Sequence, residues 1–259
     1  MIIEAEQILS TMAQYILPFA RLSGFLMTLS VIGSRNIPAR FRMLLALSIT
    51  FLVVPVIPVY ETAPLFGLRS FLLVAEQTLI GIVMGFVSRL MLETFVVGAQ
   101  VVAMQSGLGF ASLMDPANGT SVPALGQFFL MLTTLLFISV DGHLVMIRLV
   151  VESFTSFPIG SSLDISEMFI KLVNWAKWVF AAALIMALVS ISSLLIVNIS
   201  FGVMTRAAPQ INVFAVGFPL TMVAGLILVW LTLAFFLPHF ERQLVRASSL
   251  ICDMVQLQC

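Results

Sequence analysis

The residues able to do chemistry are few, and four of them stand where charge is expensive. Arg21, Glu76, Arg89 and Glu93 fall inside long apolar runs, and a charge at the centre of a lipid-facing helix costs about 3 kcal/mol. They are expected to face protein or water. Arg89 and Glu93 are four apart, on one face of a helix, where opposite charges partly compensate each other. A structural ion pair is the bland reading. A proton relay is the sharper one, and it loses ground because no chain of further carboxylates or histidines continues from the pair. Asp141-Gly142-His143 interrupts the fourth apolar run. Asp141 can bond backbone donors freed at such a break, and His143 is read as structural in preference to a titrating sensor. His239, next to Pro238, reads as a helix-end residue.

The search for catalytic patterns is negative. The chain has no GxxxxGK[ST], HExxH or GxSxG stretch and no paired metal-ligand spacing, and it holds two histidines. No enzyme, cofactor or metal site is expected. Ser190, Ser192 and Ser193 are read as satisfying backbone or interhelical hydrogen bonds. Cys252 and Cys259 form no CxxC motif and no disulfide framework, and are read as incidental.

The elements that must carry these residues are apolar. Of 259 residues, 61% are hydrophobic and 9% charged, with a mean hydropathy of +1.14, against about a quarter charged in soluble domains. This composition specifies an integral membrane protein. Net charge is zero, and no basic block is present, so no nucleic-acid partner is expected. Apolar windows at about Ile8–Ile32, Leu44–Val59, Ser70–Met104, Phe128–Val151, Leu172–Phe201 and Val213–Leu237 read as helices, giving an all-α fold. The third and fifth would be roughly 50 Å long if continuous, against a hydrocarbon core of about 30 Å. They must kink, divide into hairpins, or project beyond the lipid. Gly81, Gly85 and Gly98 offer bends or close contacts, Gly81 and Gly85 having the spacing that lets two helices approach.

Glu4 and Glu6 stand where a cleavable leader would be basic, so the first apolar stretch is expected to stay in the mature protein. Basic residues at Arg35, Arg40 and Arg42, at Arg206, and at Arg242 and Arg246 leave a weak positive-inside bias that does not fix an orientation. Arg206-Ala-Ala-Pro209-Gln-Ile-Asn212 reads as a helical-hairpin corner, with Arg206 at a helix end or among lipid phosphates.

The stretch from Gln105 to Leu125, QSGLGFASLMDPANGTSVPAL, breaks an apolar run with glycines and prolines yet carries one charge, Asp115. Irregular backbone at membrane depth survives only under protein cover or beside a watered cavity. Gly107 and Gly109 permit tight turns, while Met104, Phe110 and Met114 supply bulky, deformable apolar groups. Such a loop can block a channel by a hydrophobic constriction. A buried re-entrant connection explains it equally well. Downstream, the residues to Leu125 fit a turn followed by a helix that begins at proline.

Several motifs in order resemble one family. They are Arg21-Leu-Ser-Gly24, Ile37-Pro-Ala-Arg-Phe-Arg42, Gly107-Leu-Gly-Phe-Ala111 with Asp115-Pro116, Asp141-Gly-His143, Ser153-Phe154 with Phe157-Pro-Ile-Gly160, and Arg206-Ala-Ala-Pro-Gln-Ile-Asn-Val-Phe214. The chain resembles the FliR family of flagellar type III export-gate proteins and its relatives in virulence secretion, with the order leaning flagellar.

The resemblance implies a subunit of a closed helical assembly with FliP and FliQ in the flagellar basal body of the bacterial inner membrane, beside FlhB and FlhA. It implies a FliP-like part over residues 1–165 and a FliQ-like hairpin over 166–259. It also implies that loop 106–122 plugs the export channel, with Phe110 as blocking side chain, until unfolded export substrates pass. Lipid and neighbouring subunits would cover the apolar surfaces. The competing expectation is a secondary transporter of a small solute, with Arg89, Glu93 and Asp141 at a midplane site.

Overall fold

The computed structural model describes residues 2–34, 37–58, 67–110, 112–114, 121–160, 165–207 and 213–259. These residues are almost wholly helical: α1 Ile2–Thr28, α2 Ala39–Val53, α3 Leu68–Ser106, α4 Ala124–Ser139, α5 Gly142–Ser156, α6 Ile165–Ala207, α7 Val213–Thr232 and α8 Phe236–Met254. The all-α class expected from composition is what the chain adopts. The exception is a pair of three-residue strands, β1 Ser112–Met114 and β2 Ser121–Pro123, joined antiparallel with Leu113 opposite Val122.

Continuity answers the question raised by the overlong segments. The third and fifth runs are single helices of 39 and 43 residues, about 58 and 64 Å at 1.5 Å per residue. Neither is a hairpin. The fourth run is broken, as Asp141-Gly142 suggested: Asp141 takes a left-handed φ of 56°, ending α4 and starting α5. The last run does not stop near Leu237. After a short 3₁₀ turn at Leu233–Phe235, α8 continues to Met254, with Pro238 in its first turn, where a missing N–H is harmless. Its apolar residues recur at helical spacing, with Phe236, Phe240, Ala247, Ile251 and Met254 buried. A window tuned to uniform hydropathy misses a helix whose other face is polar.

Among the described residues, three helices are long and apolar enough to cross a membrane, Leu68–Ser106, Ser166–Ala207 and the joined Val216–Met254. The broken pair α4 and α5 would make a fourth.

The chain divides into two compact units. The first comprises Met1–Leu90, Asp141–Trp175 and Val245–Cys259. There α1 lies against the first half of α3 with backbones nearly touching. A Cβ on Gly24 would sit 2.5 Å from the carbonyl oxygen of Thr78, and one on Gly81 would overlap the Arg21 carbonyl. Small residues at these positions let two helices approach to backbone distance. Polar bonds lock the contact: Thr28 Oγ1 donates to the Ile82 carbonyl at 3.1 Å, and the Ser30 N–H donates to Ser88 Oγ at 3.2 Å. Tyr15 of α1 and Phe51 of α2 stack at 5.3 Å between centroids.

The second unit comprises Met91–Val140 and Ala176–Leu244. Phe95 anchors it, with centroids 5.1 Å from Phe236, 5.6 Å from His239 and 5.7 Å from Phe240. His239 is thus a packed residue near the start of α8. Gly98 admits Met186 and Ala183 of α6 against α3, and Gly225 of α7 lies on Ser106.

Candidate functional site

The second half of α3 ends at Ser106, whose side chain turns inward and donates to the Val102 carbonyl at 2.9 Å. Gly107 then takes φ +79°, the left-handed region that favours glycine. A Cβ there would also stand 2.8 Å from the Phe218 ring of α7. Two independent constraints thus select glycine. The chain turns into a 3₁₀ turn, Leu108–Phe110, and folds back so that Gly109 lies on the sulfur of Met104.

The result is an apolar projection. Phe110 is 85% exposed and Met104 71% exposed, with the Phe110 ring 6.1 Å from that of Phe218. A phenyl ring this open leaves most of its apolar surface uncovered by the described residues. Beyond it, the β1–β2 pair packs with the start of α4, which begins directly after Pro123. The irregular loop expected from the glycines and prolines therefore contains a ladder that pairs some of its backbone groups, as an apolar setting requires. Met114 sits in β1 opposite Ser121. Ala111 and Asp115 to Thr120 lie outside the described residues.

In the first unit, Arg21 is fully buried. Its Nε donates to Gln77 Oε1 at 2.8 Å, Nη1 to the carbonyl and hydroxyl of Ser153 at 3.1 and 3.0 Å, and Nη2 to the Phe157 carbonyl at 3.2 Å. The Phe154 ring lies 4.3 Å from the guanidinium carbon. Neutral acceptors and a π face thus contribute to solvating the charge in place of water. Phe157 is the first residue after α5, so Arg21 also holds the carbonyl that the helix end leaves free. Of the other intramembrane charges, Glu76 is half-buried, with Oε1 enclosed and no hydrogen bond to it among the described residues.

Arg89 is exposed and Glu93 half-buried. Arg148–Glu152, Lys171–Glu167 and Lys171–Asp253 are paired, whereas the Arg89–Glu93 pair read from spacing does not form among the described residues; four-residue spacing permits such a pair without enforcing it. Asp141 is exposed and makes no side-chain cap bond; its carbonyl accepts from Leu144 and Val145. His143 is half-buried. Arg206 is exposed in the last turn of α6, favourable for a cation. Pro209 and Asn212 lie outside the described residues.

Three features escaped the sequence reading. Gln77 and Ser153 were not assigned to Arg21, although a buried arginine requires several acceptors and both lie in apolar runs. Phe218 was not seen beneath the loop. Cys252 and Cys259, read as incidental, are bonded to each other with Cα atoms 6.2 Å apart, because a reversal after α8 returns the last residue to the helix.

Comparison with known proteins places these elements in a family. The bacterial export proteins, family 1, match residues 12–247. The flagellar biosynthetic protein FliR of Escherichia coli (strain K12) is 32% identical over 253 residues, covering 98% of this chain and 97% of that one. Its counterpart in Pectobacterium carotovorum subsp. carotovorum is 33% identical, over 94% of this chain and 93% of its own. The FliR of Bacillus subtilis (strain 168) is 27% identical over 86% and 87%. With the apolar helices and the motif order, these likenesses show that the chain belongs to the family of bacterial export proteins that includes the flagellar biosynthetic protein FliR.

Proposed function

We propose that this chain is a non-enzymatic, channel-forming subunit of the flagellar protein export gate, and that loop 106–122 closes the channel until unfolded substrates pass. Its family and apolar helices make it a multi-pass inner-membrane component of the flagellar export apparatus. The observation that carries the finer reading is Phe110, an open ring on a glycine-hinged apolar turn at the end of α3. A hydrophobic constriction excludes ions by dewetting, and a flexible methionine such as Met104, against Gly109 of the same turn, yields when a polypeptide pushes through.

The proposed partners are FliP, FliQ, FlhB and FlhA, with lipid on the remaining surface. Exposed apolar residues are dense on α6 and α7: Phe180, Ile196, Val203, Trp230 and others stand open. Of the most apolar window in Val216–Met254, 17% is buried within the chain. Such surfaces require lipid or subunit cover. Within that assembly, residues 1–165 would act as the FliP-like part and 166–259 as the FliQ-like hairpin. A solute transporter built on Arg89, Glu93 and Asp141 lacks comparable support, since Arg89 and Asp141 are exposed.

The test uses complexes co-purified with FliP-like and FliQ-like chains and placed in planar bilayers. Phe110→Ala, or deletion of residues 107–111, is expected to raise resting ion conductance while assembly is retained. Unchanged conductance in assembled variant complexes overturns the plug. Saturable solute uptake by the purified chain alone would favour the transporter.

A further inference from the structure

The end of the chain carries a built covalent feature that the gate reading does not use. Helix α8 finishes at Met254, and Gln256 takes φ 55°, a left-handed conformation uncommon for glutamine. The Leu257 N–H then donates to the Cys252 carbonyl at 2.8 Å, the six-to-one bond of a Schellman reversal. This turn sends the tail back along the helix. It brings Cys259 to Cys252, and the two sulfurs are bonded across a separation of seven residues.

The surroundings differ for the two cysteines. Cys252 is 4% exposed, beside the buried Ile251, Met254 and Val255, whereas Cys259 is exposed. On the same turn, Lys171 Nζ of α6 donates to the Asp253 carbonyl at 3.0 Å and to Asp253 Oδ1 at 3.3 Å. The reversal thus sits on a helix end already tied to another helix.

We propose that Cys252–Cys259 is an oxidative modification site: a clasp installed by a disulfide-bonded thiol oxidant, which places the C-terminal end of α8 in an oxidising compartment. Thiols facing the cytoplasm are kept reduced, whereas those on the periplasmic side are oxidised. The asymmetry in exposure sets the order of events. The thiolate of exposed Cys259 attacks one sulfur of the oxidant's disulfide, breaking that bond and releasing the oxidant's other sulfur as a thiolate. Cys252 then attacks the Cys259 sulfur of the mixed disulfide, forming the internal bond and expelling the oxidant's second thiolate. Two electrons pass to the oxidant, now a dithiol, which also takes up the two protons given up by the cysteines. The clasp also resolves the orientation that basic residues leave undetermined. It is independent of the loop's role, so its failure leaves the plug untouched.

Thiol trapping tests it on the full chain in its native membrane. Cells are quenched in acid, protein is denatured in urea so that burial protects nothing, and a polyethylene-glycol maleimide counts free thiols. The expected result is no adduct without reductant and two after reduction, with one adduct for Cys259→Ser without reductant. In cells lacking the periplasmic thiol oxidant, two adducts are expected without reductant. Two adducts in unreduced wild-type cells would overturn the clasp. A bond that persists without the oxidant would overturn its installation from that compartment.

Discussion

Arg21 and Ser153, 132 residues apart in the chain, are joined twice by one guanidinium nitrogen, at 3.1 Å to the serine carbonyl and 3.0 Å to its hydroxyl. The Ser153 hydroxyl in turn donates to the Val150 carbonyl at 2.6 Å, so it both accepts and donates. A charge placed at the centre of an apolar helix thereby becomes a fastener among α1, α3 and α5.

Replacing Arg21 with Ala leaves the acceptors on Gln77, Ser153 and Phe157 without that donor, at about 1–3 kcal/mol for each buried group left unpaired. Arg21→Lys keeps the charge but not the planar fork that reaches three residues. Both variants should yield less folded protein in membranes, with a lower aggregation temperature in detergent. Wild-type stability of Arg21→Lys would show that the fork geometry is dispensable.

The α1–α3 contact makes a paired forecast about glycine. Gly81→Ala forces a methyl onto the Arg21 carbonyl, whereas Gly202 has nothing within 4 Å of an added Cβ. Gly81→Ala should destabilise strongly. Gly202→Ala on the exposed α6 surface should be neutral or gain about 1 kcal/mol from helix propensity. Thermal denaturation in detergent, followed by circular dichroism, separates the two.

At the loop hinge, Gly107→Ala meets both a positive φ and the Phe218 ring, and the conformation alone costs about 1–2 kcal/mol. The turn should be displaced and the resting conductance of assembled complexes raised. Gly107→Ala with Phe218→Ala removes the steric part and keeps the φ penalty, so partial recovery of the seal is expected. No difference between single and double variants would place the Phe218 contact outside the loop's control.

Asp141 offers a contrast, because its left-handed backbone, not its carboxylate, is what the break uses. Asp141→Gly should be stabilising or neutral, by up to about 1 kcal/mol, with export intact in a motility assay. Loss of export in normally accumulated protein would return a functional role to the carboxylate.

The exposed ion pairs should matter little. Arg148 and Glu152 are 78% and 35% exposed in their side chains, and such pairs contribute roughly 0–1 kcal/mol. Glu152→Gln should leave the denaturation midpoint in detergent nearly unchanged. A large fall would reveal a contact made by Glu152 outside this chain.

What the amino-acid sequence determined by itself is local or summed along the chain. Sustained apolarity specified membrane helices, the Asp141-Gly142 interruption marked a break, and Gly107 marked a turn, because hydropathy and φ preference act within a few residues. The polar face of α8 hid that helix from the same reasoning. Tertiary structure decided the rest. It set Arg21 against Gln77 and Ser153, Phe218 beneath Phe110, the continuity of α3 and α6, and Cys252 against Cys259. An arginine needs acceptors, a ring needs a neighbour and a thiol needs a partner, but residue type does not say which one. That choice depends on how separate stretches pack, since close approach at Gly24 and Gly81, or a reversal at Gln256, brings together groups that no periodicity in the chain relates.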